Sequence, residues 1–171
     1  DSNPDYDIVN RIYENTGSAT NSGLELLLSQ DITTNWKASG TFNWYSNSID
    51  AYEGTLYFPY ERPFSIPKST ANAWDLKIST ELTLPREYAI QLTGVYYSDR
   101  NIPQGEELAR SSIDLGAKKT FWDKKGEINF SATDIFNRFG IRQRIISEGF
   151  TALYENYFET QIFRVGFKYK F

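Results

Sequence analysis

Two acidic pairs and one aromatic cluster are the residues best suited to chemistry or binding. Asp5 and Asp7, and Glu106 and Glu107, offer the hard oxygen ligands that suit Ca²⁺, but neither pair has the spacing of a known calcium loop. Between Ala51 and Pro67 the chain gathers Tyr52, Tyr57, Phe58, Tyr60 and Phe64 with Glu53, Glu61 and Arg62. Ring faces beside a guanidinium suit stacking on sugars, ring systems or a partner protein, and suit equally a loop packing on its neighbours. The chain has no His and no Cys, so the usual general base, the commonest transition-metal ligand and any thiol nucleophile are missing. Catalysis would fall to carboxylates, Lys, Tyr or Ser, and no carboxylate pair can be placed across a cleft. No enzyme activity is expected, and with it no catalytic residue, no metal and no cofactor.

With 171 residues, a net charge of −4 and 16% aromatic side chains, the chain is sized for one well-populated β-domain. It lacks a basic cluster, which argues against nucleic acid. No stretch approaches the roughly 18 to 20 apolar residues of a membrane-spanning helix; the richest run, Leu24 to Leu28, is broken by Glu25. The chain contains no Met and opens Asp1-Ser2-Asn3-Pro4, so a fragment or a processed chain is expected.

What would position such residues is legible from period. From Asn72 to Leu84, Trp74, Leu76, Ile78, Leu82 and Leu84 share one parity, while Asp75, Lys77, Ser79, Glu81 and Thr83 share the other. That is a strand with one polar face. Trp36 to Trp44, Gly23 to Gln30, Tyr88 to Tyr97, Ser111 to Phe121, Glu127 to Thr133 and Phe163 to Phe171 alternate likewise, and a weaker strand at Tyr6 to Tyr13 makes eight. No segment holds helical spacing, so the chain reads as all-β.

The connections alternate between short (Asp31 to Asn35, Pro85 to Glu87, Asp123 to Gly126) and long (Asn15 to Ser22, Ser48 to Ala71, Ser98 to Arg110, Phe139 to Asn156). Tight periplasmic turns and long extracellular loops give outer-membrane barrels this asymmetry, and a periplasmic C-terminus puts every short turn on the periplasmic side. The ten steps from Trp74 to Leu84 make about 33 Å of strand. Tilted by roughly 40°, that spans about 25 Å, the height of the apolar band on such barrels. Trp36, Trp44, Trp74, Tyr88, Tyr96, Phe121 and Trp122 fall near strand ends, as interfacial girdles would. On this parity Glu25, Lys37, Asp75, Lys77, Glu81, Asp114, Lys118, Arg164 and Lys168 face the lumen, where ion pairs along the wall or contacts to a plug are expected. Alternation alone also fits a soluble sandwich or lipocalin-like barrel with the apolar parity turned into a core, such as a secreted carbohydrate-binding β-domain.

The chain ends on Phe163, Val165, Phe167, Tyr169 and Phe171, apolar at alternate positions with a final aromatic. This resembles the C-terminal signal by which the barrel-assembly machinery recognises outer-membrane proteins. Ser22-Gly23-Leu24-Glu25-Leu26 and Asn129-Phe130-Ser131-Ala132-Thr133-Asp134-Ile135-Phe136-Asn137 resemble the late strands of TonB-dependent receptors, in a form most similar to the outer-membrane barrels of Bacteroidota. The resemblance implies an antiparallel transmembrane barrel of ~22 strands with an N-terminal plug, of which residues 1–171 are the C-terminal part supplying the last eight strands. It implies energised uptake of a bulky solute (siderophore, glycan or peptide) across the outer membrane. Outer-membrane lipid and lipopolysaccharide, the barrel-assembly machinery, the TonB complex acting through an N-terminal region outside this chain, and a surface lipoprotein are the implied partners. A complete eight-stranded barrel with a structural or adhesive role is the alternative that the strand count leaves open.

Overall fold

An alternating strand satisfies its backbone only by lateral pairing, and here the alternating segments pair with one another. The computed structural model describes residues 2–3, 8–9, 17–57, 60–147, 150–156 and 158–171. In chain order the strands are β1 (Ser2–Asn3), β2 (Ile8–Val9), β3 (Ala19–Thr33), β4 (Trp36–Ile49), β5 (Tyr52–Leu56), β6 (Arg62–Ile66), β7 (Ser69–Leu84) and β8 (Tyr88–Tyr97). They continue as β9 (Arg100–Ile102), β10 (Gly105–Glu107), β11 (Arg110–Phe121), β12 (Gly126–Thr133), β13 (Ile141–Ser147), β14 (Phe150–Asn156) and β15 (Ile162–Tyr169). No helix occurs among the described residues.

Seven long strands form one antiparallel meander in the order β15-β12-β11-β8-β7-β4-β3. The expected eighth strand differs: of Tyr6 to Tyr13 only Ile8 and Val9 are described, and they pair with Ser2 and Asn3 in a small separate ladder rather than with the wall. The wall is therefore an open seven-stranded sheet among the described residues, with β3 and β15 as its edges.

Three tight turns lie at one end. Thr34 and Asn35 join β3 to β4, Pro85 to Glu87 join β7 to β8, and Trp122 to Lys125 join β11 to β12. Arg86 and Glu87 have φ of 65° and 64°, the consecutive left-handed pair of a twist-matched hairpin. After the third turn Gly126 lies under the Phe121 ring, where a Cβ would sit 2.4 Å from a ring carbon. An aromatic covering a strand glycine in this way helps to fix register.

Of the four long connections expected as loops at the other end, the three from Ser48 to Ala71, Ser98 to Arg110 and Phe139 to Asn156 carry strands of their own. β5 and β6 form a separate hairpin, while β14-β13-β10-β9 make a four-stranded sheet that joins the connection after β8 to the connection after β12. Local pairing satisfies backbone groups that a long bare loop would leave to water.

Register aligns the parities across the whole wall. Leu26, Phe42, Leu76 and Tyr96 form one row; Leu28, Gly40, Ile78, Gly94 and Ile113 form another. Farther along, Phe130 stands between Ala117 and Val165. The opposite face carries Glu25, Asn43, Asp75, Tyr97 and Arg110 in one row, and Ser39, Ser79, Thr93 and Asp114 in another.

Only Ile49, Ala73 and Ala132 are buried apolar residues among those described. A soluble sandwich needs a second layer over its apolar face, and a contiguous apolar face of this extent left to water would exceed anything a soluble monomer carries. The soluble reading fails on that point, and hydrocarbon is the medium that fits the face. The charged residue on this face of the long strands is Lys119. Its Nζ lies 4.0 Å from the Tyr88 ring centroid and donates to the Arg86 carbonyl, so the charge bends to the tight-turn end as a snorkelling lysine does.

Candidate functional site

The wall meets the four-stranded loop sheet in a cluster of charges on the polar face. Pairing of β9 with β10 puts Arg100 opposite Glu107. Arg100 Nη2 donates to Glu107 Oε1 at 2.8 Å, and Arg110 Nη2 approaches the same oxygen at 3.6 Å. Glu107 is buried. The Arg110 guanidinium lies between rings, 5.2 Å from the Tyr97 centroid and 4.9 Å from that of Phe139. Burial alone would lower the affinity of Arg100 for its proton, but the Glu107 carboxylate and a hydrogen bond to Tyr45 outweigh it and raise its pKa. Two cations thus share one carboxylate between wall and loops. This is a latch that positions the loop sheet.

Sequence reading missed this latch, although Pro103-Gln104-Gly105 is a turn signal that would place Arg100 opposite Glu107. It also separates Glu106 from Glu107. Glu106 pairs with Arg144 while Glu107 takes Arg100 and Arg110, so these two acids form no joint cation site. Asp5 and Asp7 lie outside the described residues. No group of three potential metal ligands occurs among the described residues.

The Asp134 to Asn137 segment builds a tight corner just beyond the end of β12. Asp134 is 2% exposed. Its Oδ1 accepts from the Arg138 amide at 3.0 Å, and its Oδ2 accepts from the Phe139 amide at 3.1 Å and from Thr160 Oγ1 at 2.6 Å. Its own amide donates to Asp114 Oδ1 at 2.8 Å. Burial would raise the pKa of Asp134, and these three bonds overcome it and lower it. Asp134→Ala is expected to cost about 3 kcal/mol, because it strands buried donors that faced a charge. Since the folded-state pKa is depressed, the contribution is full above the unfolded carboxylate pKa of about 3.9 and is lost as pH falls through the folded value. Denaturant titration in lipid at pH 7 and at pH 3 checks both points, with a smaller acid loss in the variant than in the parent.

The aromatic candidates divide. On the β5–β6 hairpin the Tyr52 and Phe64 rings stand 5.8 Å apart, and Arg62 lies 5.9 Å from the Tyr60 ring centroid. Tyr57 and Tyr60 are exposed, 76% and 57%. Phe58 lies outside the described residues. The hairpin thus presents rings at the long-loop end without enclosing a pocket among the described residues.

All nine charges assigned to the polar face share it in the observed register. The expected ion-pair lining is largely absent. Among the described residues only Lys37 closes a pair, with Asp31 at 3.5 Å. Lys37 stands opposite Glu81 and Lys168 opposite Glu127 without closing a bridge, and the Asp114 carboxylate accepts from Ser112 Oγ and from the Asp134 amide.

The terminal residues Phe163, Val165, Phe167 and Tyr169 lie on one parity of β15, which pairs with β12 along a full register. Phe167 stacks on Phe121 at 6.3 Å, while Tyr169 makes edge contacts with Trp122 at 6.0 Å and with Phe171 at 5.3 Å. These rings form a girdle at the tight-turn end. Trp74, stacked on Tyr96 at 4.7 Å and 6.1 Å from Phe42, belongs to a second one toward the loops.

An antiparallel meander with one face for hydrocarbon, one for water and aromatic girdles at both ends is the wall of a transmembrane β-barrel. The chain belongs to the outer membrane protein beta-barrel family, whose model matches residues 1–169. No curated protein and no solved structure matched it. The outer membrane is therefore where this wall resides.

Proposed function

We propose that the chain is the loop-bearing C-terminal wall of a TonB-dependent-receptor-like transporter, with its C-terminus and tight turns periplasmic and its loop sheet extracellular. The observation that carries this reading is the polar face, where eight of the nine inward charges lack an ion-pair partner among the described residues. A closed eight-stranded barrel fills its interior with side chains, and charges confined there would have to pair. Unpaired charges suit a wide wet lumen or the surface of a plug. The open edges of β3 and β15 give the same support, since further strands are what would cover them.

The rings of Tyr52, Tyr57, Tyr60 and Phe64, with Arg62, are then the first contacts for a bulky solute arriving at the loops. Imaging the full-length protein in nanodiscs tests the reading. The expected map shows several further strands between β3 and β15 and a folded plug in the lumen, and TonB co-purifies. An eight-stranded barrel with a side-chain-filled interior would overturn it and return weight to the structural or adhesive alternative.

A further inference from the structure

The loop corner and the top of the wall enclose a pocket of about 400 Å³ lined by Tyr96, Ser111, Asn137, Arg138 and Arg142. Tyr96 and Ser111 pair with each other on the apolar parity, so the pocket opens beside the hydrocarbon face. Phe139 packs on Arg110 and Tyr97 of the polar face, and the exposed Arg138 precedes it. Arg110, also at the pocket, has its guanidinium held by Glu107.

Arg138 and Arg142 close no ion pair among the described residues. Arg142 Nη2 is anchored by the Ala109 carbonyl at 3.1 Å, and Glu155 stands opposite Arg142 in the hairpin without closing a bridge. Arg138 is placed by the hydrogen bond that its backbone amide donates to Asp134 Oδ1, and its side chain is exposed. The stacked Trp74 and Tyr96 rings lie beside the pocket, at the level where aromatic side chains mark a membrane–water boundary. Two guanidiniums at that depth without an ion pair among the described residues suit a phosphate, which they can bind through charge-assisted bonds. The volume is of the order that small-molecule sites have.

We propose that Arg138 and Arg142 form a docking site on the outer wall for the phosphorylated headgroup of an outer-leaflet glycolipid. The site rests on the extracellular placement of the loops proposed above and is independent of what the barrel carries. A lipid held there would brace the corner built on Asp134.

The test uses the full-length protein in detergent and native mass spectrometry with three probes: bis-phosphorylated lipid A, dephosphorylated lipid A and inorganic phosphate. Phosphorylated lipid A is expected to be retained about thirty-fold better by the parent than by R138A/R142A, the weight of two cations near a charged surface. Arg138→Glu, which removes no wall hydrogen bond, should lose retention while keeping heat-modifiable migration, and R138K/R142K should recover part of it. Equal retention by parent and Arg138→Glu, or equal retention of the dephosphorylated lipid, overturns the site. Binding of inorganic phosphate alone, with lipid A ignored, also overturns the lipid assignment. Surface biotinylation of a loop cysteine reads orientation separately, so an inverted barrel is distinguishable from an absent site.

Discussion

Arginine at Ile78 should destabilise the barrel in lipid by about 2 to 4 kcal/mol, whereas arginine at Ser79 should change stability little. Ile78 lies midway between Trp74 and Leu82 on the apolar parity and stands in register between Gly40 and Gly94. Half of its surface is exposed, and its two glycine neighbours offer an incoming guanidinium no acceptor side chain. Leu76, two residues nearer the Trp74 girdle on the same face, should respond in the same sense with a smaller cost. Ser79 points to the other face, where its hydroxyl meets Thr93 Oγ1 at 3.0 Å. Arginine there loses that bond but gains a wet surround. Denaturant titration in lipid vesicles measures both, and equal costs on the two faces would contradict the assignment of lipid to the apolar parity.

Removal of Phe171, or Tyr169→Asp, should lower the amount of assembled barrel in the outer membrane several-fold. β15 pairs with β12 on one side only among the described residues, so it needs a second lateral partner to satisfy its backbone in lipid. Phe163, Val165, Phe167, Tyr169 and Phe171 present a continuous exposed stripe, and in the signal reading this is what the assembly machinery takes hold of. An aspartate at position 169 also breaks the ring contacts with Trp122 and Phe171. Heat-modifiable, surface-exposed protein in outer-membrane fractions is the readout, with protease-sensitive protein accumulating in the periplasm. Unchanged levels for both variants would remove the signal role and leave β15 an ordinary stave.

The wall was legible because period two is a strong signal wherever the two faces meet different media. Tyr88–Tyr97 was delimited to the residue, and β3, β4 and β7 were recognised but extend past their most alternating stretch into the loop end. There both faces meet water, so polarity no longer alternates. Tyr6 to Tyr13 was read as a wall strand on weak alternation, and its described part pairs elsewhere. Strands β9, β10, β13 and β14 are short, and the β10–β13 pairing that joins their two hairpins into one sheet links connections far apart in sequence, which a local period does not reveal. Ile141, Gln143 and Ile145 did alternate with Arg142 and Arg144, which could have betrayed β13. The Asp134-Ile135-Phe136-Asn137 phrase carries a resemblance, but its physical role as a carboxylate-capped corner lies in bonds to the Arg138 and Phe139 amides beyond the phrase itself. The latch of Glu107 between Arg100 and Arg110 is partly local and partly long-range, so only its Arg100 half could be inferred from the turn.

The facing of β7 tests the membrane-wall assignment most directly. This chain contains no Cys, so single cysteines from Asp75 to Leu84 can be labelled one at a time in lipid, in a full-length protein cleared of any cysteine outside these residues. A membrane-impermeant thiol reagent and a spin label scored for oxygen against a water-soluble paramagnetic complex give two readings at each site. The expected result is alternation: positions 75, 77, 79 and 81 open to water, and 76, 78, 82 and 84 exposed to lipid. Water access at both parities, or lipid contact on the side of Asp75, Lys77 and Glu81, would contradict the wall described here.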